Sequence, residues 1–453
     1  MSKKSVLRRL LPGYITETFF EKTDPLSQSR RCILGSSFTT GLITTLTSGV
    51  YFTGLLLAMG ASEMYIGYTT AVISFSGFFQ LLSPLLLEKV PRRKGVLMTA
   101  RLIYHLLNII GIGLLPFFPI SIGLKLVLFM VALILMHACN AIATPGISAW
   151  QMQSLPMDKR VHYYTVSHLG VAILTKISAL LAGLLLDRFE ADSIRLLGAS
   201  PTITAILLLR GFALILALLE CFFYSRTKEF PYGSAPKKQT GLRLLTLPLK
   251  DRRFLLTIAF PVVWNYIVAI VGQYFSIYLL ENVKMSYSLI SLGGFFSMPA
   301  AILATPLWHR ALQKYSWPKL LAIGLLGNSL AYICNAFITP NTLYIYFFCI
   351  ICGTFFDVCL NNVHSNLIYL HMPEASRTAY FSLYSILVLV ANFLGNNTGI
   401  LFIQLTDPLH FRLLGFDIGN KQAISFLSAT LFISLAVCAL YCSRKKEFNV
   451  RLR

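Results

Sequence analysis

The sequence predicts an all-α polytopic membrane protein: twelve transmembrane helices arranged as two six-helix, pseudo-symmetric halves. Three observations predict it. The 453 residues are 56% hydrophobic and 13% charged, whereas about a quarter of a soluble domain is charged. Windows of about 20 apolar residues, enough to cross a ~30 Å hydrocarbon core, recur along the whole chain. The chain also repeats itself. Pro156, Arg160 and Tyr163 spell P-x-x-x-R-x-x-Y, and Pro373, Arg377 and Tyr380 spell it again at an offset of 217. Arg30-Arg31 recurs as Arg252-Arg253, and Ser83-Pro84-Leu85 as Thr305-Pro306-Leu307, both at an offset of 222. In a membrane protein a repeat on this scale frames a path between the halves.

Residues 1–31 are expected to form a cytoplasmic N-terminal segment. Within it Val6 to Phe20 mixes Leu, Tyr and Phe with Arg8 and Arg9, which suits a short interfacial helix or a frayed basic tail. The segment lacks the continuous apolar core of a cleavable signal peptide. The N-terminal six-helix bundle, 32–224, holds spans near 32–59, 64–87, 95–118, 122–148, 163–186 and 203–224. A central cytoplasmic linker follows over 225–253, carrying Pro231, Gly233, Ser234, Pro236 and eight Lys/Arg. The C-terminal bundle, 254–442, holds spans near 254–280, 287–308, 318–338, 342–368, 379–405 and 422–442, and 443–453 form a cytoplasmic tail. Several spans are longer than the hydrocarbon core requires, so tilt or cytosolic extension is expected. The two longest outer loops, Asp187 to Thr202 and Thr406 to Lys421, follow the fifth and eleventh spans, again in equivalent places.

A net charge of +21 invites a nucleic-acid partner, but its distribution argues otherwise. With both termini inside, thirty of the 39 Lys/Arg fall on the cytoplasmic side and six outside, while the acids divide nine to seven. That is the positive-inside asymmetry, so the basic charge reports topology and no nucleic acid is expected. The nine cysteines lie in or beside apolar spans, leaving none for a disulfide in an outer loop. Cys349 and Cys352 form a C-x-x-C flanked by Phe and Ile, which reads as packing.

The loop after the second span carries Pro84, Glu88, Lys89, Pro91, Arg92 and Arg93 in order. With twelve spans as six plus six, a long central loop and inside termini, this resembles the major facilitator superfamily, whose loop there reads G-x-x-x-D-R-x-G-R-R/K. The acid, the following base and the basic pair keep their character, while both glycines have become proline. The second half reads Pro306, His309, Arg310 at the same place, without the acid. The resemblance implies that one chain, acting as a monomer, forms the whole path, and that its fourth and tenth helices line the cavity. It also implies a cytoplasmic gate formed by Glu88, Lys89, Arg92 and Arg93, with Arg310 opposite; a purely topogenic basic cluster is the alternative. Arg160 and Arg377, each after a loop proline at a helix start, are expected to bind carbonyls or carboxylates across the cytoplasmic face, as structural elements of the gate and not as substrate ligands.

An ionisable group at bilayer depth costs about 2.5–3.5 kcal/mol, so each needs a reason. Asp357 lies in the central part of the tenth span, with Asn361 and His364 at i+4 and i+7 as one polar stripe. Asn140 is its counterpart at the 217 offset. A carboxyl away from water holds a proton more readily, which makes Asp357 a candidate proton carrier, a packing acid being the alternative. Lys176, with Ala172, Ala179 and Gly183 on its face, is expected to pair with Asp357 or to meet an anionic substrate, or else to extend to an interface. His364 completes the proton-coupling candidates. Arg210 and Glu220 are placed nearer helix ends, where a long side chain reaches water, and Arg101 close to the inner surface as a gate or headgroup contact; none of the three is assigned to substrate. The substrate-cavity candidates are Asn140, His137, Thr44, Asn265, Gln273, Asn361 and Asn392, although Ser and Thr in such helices also bond their own backbone.

No phosphate-binding G-x-x-x-x-G-K-[ST], no H-E-x-x-H and no nucleophile–base pair is present. An enzyme, a cofactor and a metal site are therefore not expected. The expected function is secondary active transport of a small molecule by alternating access, proton-coupled, in a bacterial cytoplasmic membrane. Efflux of an amphipathic compound leads. Uptake of a sugar or other polar nutrient, a non-transporting receptor or scaffold of the same fold, and a lipid flippase remain as alternatives.

Overall fold

The computed structural model describes residues 13–21, 23–87, 90, 92–196, 198–229, 248–370, 377–407 and 409–444. The fold is mostly helical. In chain order the helices are α1 (Gly13–Phe19), α2 (Ser27–Thr47), α3 (Gly49–Ala58), α4 (Glu63–Ser76), α5 (Leu82–Leu87), α6 (Lys94–His105), α7 (Ile122–Met152) and α8 (Met157–Ala191). Then follow α9 (Pro201–Arg226), α10 (Arg252–Ile277), α11 (Tyr287–Lys314), α12 (Trp317–Asn335), α13 (Leu343–Leu370), α14 (Arg377–Leu405) and α15 (Asn420–Ser443). Among the described residues, ten helices are long and apolar enough to cross a membrane, and each overlaps an expected span. The expected span 64–87 is instead broken into α4, a 3₁₀ stretch Gly77–Leu81 and the short α5. The expected ninth span is α12, only 19 residues long and interrupted by Asn328 and Ser329.

The chain divides into two compact units. Unit 1 comprises Met1–Gly60 and Ser76–Pro236; unit 2 comprises Ala61–Phe75 and Lys237–Arg453. Ala61–Phe75 thus clusters with the second unit although it lies early in the sequence. Its side chains explain why. Within unit 2, Glu63 pairs with Lys421, Asn396 donates to the Thr70 carbonyl at 3.3 Å and to Ser74 Oγ at 2.9 Å, and Phe75 packs on Phe393.

The sequence repeat has a structural meaning within each unit. In unit 1, Tyr163 of α8 sits in a buried cluster with Phe19, Ile33 and Leu155, and its hydroxyl lies 3.2 Å from Ser37 Oγ on α2. In unit 2, Tyr380 of α14 meets Phe254 edge-on at 4.6 Å and donates to Asp251 Oδ2 at 3.3 Å, just before α10. Each repeated tyrosine therefore fastens its helix to the start of the first long helix of its unit.

Those two long helices also break at matching glycines, which the sequence pattern alone did not reveal. Between α2 and α3 the backbone turns at Ser48, and Gly49 has φ +60°. Inside α10, at nearly the repeat offset, Gly272 has φ +34° and ψ −118°. Positive φ is costly for any residue with a Cβ, so glycine is the residue that permits the break. In the turns before it, α14 packs against α10 through Gly395 and Gly399, where an added Cβ would collide with the Tyr266 and Ile270 carbonyls. This is the G-x-x-x-G spacing that lets helix backbones approach closely.

One element departs from the all-α expectation. In the loop between α14 and α15, β1 (His410–Leu413) and β2 (Phe416–Gly419) pair antiparallel, with Phe411 opposite Ile418. Leu414 and Gly415 at the turn both have positive φ, as a tight two-residue hairpin requires.

Candidate functional site

Each unit holds a polar centre among its long helices. In unit 2 the break at Gly272 redirects α10, and the space between α10, α12 and α13 is a cavity of about 270 Å³. Asp357 of α13 is in its wall, and Asn328 Nδ2 of α12 donates to Asp357 Oδ1 at 2.7 Å. The second carboxylate oxygen, Oδ2, has no protein donor among the described residues. Asn335 also lines the cavity, and its buried Oδ1 has no hydrogen-bond partner among the described residues. Phe275 and Tyr332 supply aromatic surface.

In unit 1 a buried charge network joins four helices. Arg101 Nε of α6 donates to Glu220 Oε1 of α9 at 2.8 Å. Its Nη1 donates to Asn140 Oδ1 of α7 at 2.6 Å, and its Nη2 to Thr40 Oγ1 of α2 at 3.3 Å. The other Glu220 oxygen lies 3.1 Å from His105 Nε2. One turn further, Leu106–Gly111 relaxes into a π-helical turn, a feature enriched at functional sites. Asn108 in that turn donates to Thr47 Oγ1 at 3.1 Å, and its carbonyl accepts from Arg210. The expectation that these charged groups reach water from their helix ends is overturned. Glu220 is 0% and Arg210 1% exposed, because α9 packs against both α2 and α6 and so encloses them.

The remaining candidates are placed as follows. Asn361 is exposed, whereas His364, one turn on, is buried against Trp264 with neither ring nitrogen partnered among the described residues. The stripe Asp357–Asn361–His364 thus runs through three different surroundings. Lys176 is half-buried in unit 1 and forms no ion pair among the described residues. His137 lies edge-on to Tyr104 at 6.2 Å, close to the Arg101 network. Thr44 is exposed, Gln273 and Asn392 are partly buried, and Asn265 is spent on its own helix, donating to the Pro261 carbonyl at 2.8 Å.

At the expected gate, Glu88, Lys89 and the Arg377 side chain lie outside the described residues. Arg92 and Arg310 are exposed. The Arg93 and Lys94 backbone N–H groups both donate to Glu229 Oε1, at 2.6 and 2.7 Å, so an acid from the start of the linker caps α6. Lys94 Nζ binds the Ser225 and Thr227 carbonyls at 2.7 and 2.8 Å. Arg160 Nε donates to the carbonyl of Leu155, five residues back, at 2.8 Å.

Sequence reasoning missed Asn328, Glu229 and the Arg101–Glu220–His105 group. A signal for the last was available: Arg101, His105 and Asn108 stand at i, i+4 and i+7, the same spacing that singled out Asp357. Asn328 had a weaker signal, Asn335 at i+7 on the same helix, and Glu229 carries no such pattern.

The family model of the Major Facilitator Superfamily matches residues 33–396. The chain belongs to this superfamily. Solved structures share its fold. The nucleoside transporter NupG aligns with a TM-score of 0.64 at 13% identity, over 93% of this chain and 99% of its own. A bacterial homologue of the iron transporter ferroportin, in an inward-facing state, aligns with a TM-score of 0.67 at 14% identity, over 92% and 99%. A bacterial homologue of the human lysosomal transporter Spinster gives 0.64 at 15%, over 93% and 96%. No curated protein matches the chain. The protein is thus an integral membrane protein of a transporter superfamily.

Proposed function

We propose that the chain is a twelve-span secondary transporter of a small molecule, working by alternating access and coupled to protons through Asp357. Ten helices supply ten spans, and the broken segment from α4 to α5 and the short α12 supply the other two. The asymmetry of Lys and Arg favours cytoplasmic termini. Solved structures of this fold include a nucleoside transporter, a bacterial metal transporter and a POT family transporter in complex with a conjugated peptide. They support transport and leave the cargo to this chain's own residues.

The observation that carries the coupling is one carboxylate in a cavity wall, fixed at Oδ1 by Asn328 and without a protein donor at Oδ2. A proton can then add to Oδ2 while Asn328 keeps its bond, so the cavity changes charge without losing its frame. In unit 1 the Arg101–Glu220 pair is already neutralised and serves as a rigid strut. Lys176, half-buried without an ion pair, is the second coupling candidate, and His364 the third. The basic loop before α6, held by Glu229, is the cytoplasmic anchor of unit 1. Aromatic lining with a single fixed charge favours export of an amphipathic compound.

The test is proton flux in vesicles containing purified protein, on addition of a chemically broad compound panel, wild type beside Asp357→Asn. Compound-dependent flux is expected in the wild type and not in the variant. Intact pH-dependent transport in Asp357→Asn would exclude the assigned role.

A further inference from the structure

Resting on the transport role above, we propose that the unit 2 cavity binds a small organic monocation, a primary or secondary ammonium on a compact aromatic or aliphatic body. The charged atom the cavity offers, Asp357 Oδ2, is a hydrogen-bond acceptor without a protein donor among the described residues, beside the Tyr332 and Thr354 hydroxyls. An ammonium group carries a positive charge and only donates, so it complements the free carboxylate oxygen. A carboxylate or phosphate ligand would offer acceptors to acceptors. Asp357 is the one charged residue among those lining the cavity, and no Lys, Arg or His faces it there.

The other titratable groups in the lining are Tyr332 on α12 and Cys349 on α13, both uncharged at neutral pH; α10 contributes none. Val268, Val271, Phe275 and Tyr332 provide the surface for the apolar body. The volume of about 270 Å³ sits below the roughly 300–1,000 Å³ of drug-sized pockets, which sets the ligand at on the order of ten non-hydrogen atoms.

A single carboxylate can neutralise a proton or an ammonium, not both. Binding to the protonated site is therefore an exchange: the O–H bond of the Asp357 carboxyl breaks, its proton leaves to water, and the ammonium takes its place beside the carboxylate. Charge and protons balance, with one proton released for each cation bound. Such an exchange, run across a membrane, is export of the cation against an inward proton.

Binding to the purified full chain, measured by calorimetry, tests this with three compounds of similar shape: phenethylamine, phenethyl alcohol and hydrocinnamate. The amine is expected to bind at least about tenfold more tightly than the alcohol or the acid, and more weakly as pH falls. Asp357→Asn, close in shape, should lose at least about tenfold in amine affinity, whereas Asp357→Glu should keep the preference for the cation. A melting temperature near wild type confirms that each variant is folded. Undiminished amine binding by folded Asp357→Asn overturns the inference. So does stronger binding of the alcohol or acid, or no binding of phenethylamine, cyclohexylamine or butylamine. Vesicle flux is read separately. Amine binding without flux would leave the cation site standing and remove the transport role; proton-coupled flux of a neutral compound without amine binding would do the reverse.

Discussion

Asn328 of α12 donates a hydrogen bond to Asp357 of α13 over 2.7 Å. In unit 1, Asn140 of α7, the repeat counterpart of Asp357, accepts one from Arg101 of α6 over 2.6 Å. Each unit thus ties an acceptor at the same repeat position to a donor on the preceding long helix. The difference is what the donor does next: Arg101 goes on to Glu220, whereas Asn328 leaves Asp357 with an oxygen toward the cavity.

Removing the donor should be felt through the acceptor. Asn328→Ala is expected to destabilise the protein by about 1.5–3 kcal/mol, the usual value of a hydrogen bond to a charged group. Asp357→Asn should absorb part of that loss, because its partner is then neutral. Thermal unfolding of both single variants and the double variant in detergent measures the coupling; strictly additive losses would contradict the pairing.

The buried network in unit 1 predicts a larger asymmetry. Glu220→Ala leaves Arg101 charged and without its carboxylate, which should cost about 3–5 kcal/mol. Arg101→Met with Glu220→Leu removes both charges and is expected to cost clearly less than Glu220→Ala alone. Melting temperatures of these variants check the order, and equal losses would mean that the pair holds little of the fold.

Before α2 in unit 1, Asp24 gives a pH signature. Burial opposes its ionisation, but hydrogen bonds from Lys159, Arg30 and the Leu26 N–H hold its carboxyl well below the ordinary 3.8. The Lys159 bond is 2.8 Å and the Arg30 bond 2.5 Å. The folded state therefore releases this proton more easily than the unfolded chain. The stabilisation it brings is fully present above about pH 4 and lost as pH falls through the folded value. Melting temperature followed from neutral pH to about pH 3 should drop more steeply in wild type than in Asp24→Asn. Parallel curves would sink this assignment.

The matched glycines predict that both long helices need their breaks. Gly272→Ala forces a Cβ onto φ +34° and to 3.4 Å from Asn396 Oδ1, and Gly49→Ala onto φ +60°. Each should cost about 1–3 kcal/mol. Gly272→Ala should also weaken amine binding, since that break borders the cavity. Unchanged melting temperature in both variants would show that the helices tolerate straightening.

Much of this fold was legible in the sequence because hydropathy and repeat report one-dimensional constraints. The ends of α7, α9 and α15 lie within a few residues of the expected bounds. The tyrosines of the repeat mark a contact that each unit makes. What the sequence hid was pairing. Arg101, Arg210 and Glu220 look like residues near helix ends until α6 and α9 are set side by side, and then they are buried partners. Asn328 is one of two amides in a largely apolar helix, and its neighbour on α13 gives it a role. Gly49 and Gly272 were visible at nearly the repeat offset, but a glycine alone does not announce a positive φ.

The decisive question is whether Asp357 exchanges a proton for a transported cation. The direct measurement is accumulation of radiolabelled phenethylamine in vesicles containing the protein, under an imposed pH gradient, with and without a protonophore. Accumulation on the acidic side that a protonophore abolishes and Asp357→Asn lacks is the predicted result, after subtracting the passive uptake of protein-free vesicles. Protein-dependent uptake of equal size in wild type and Asp357→Asn, or none above protein-free vesicles in either, would contradict it.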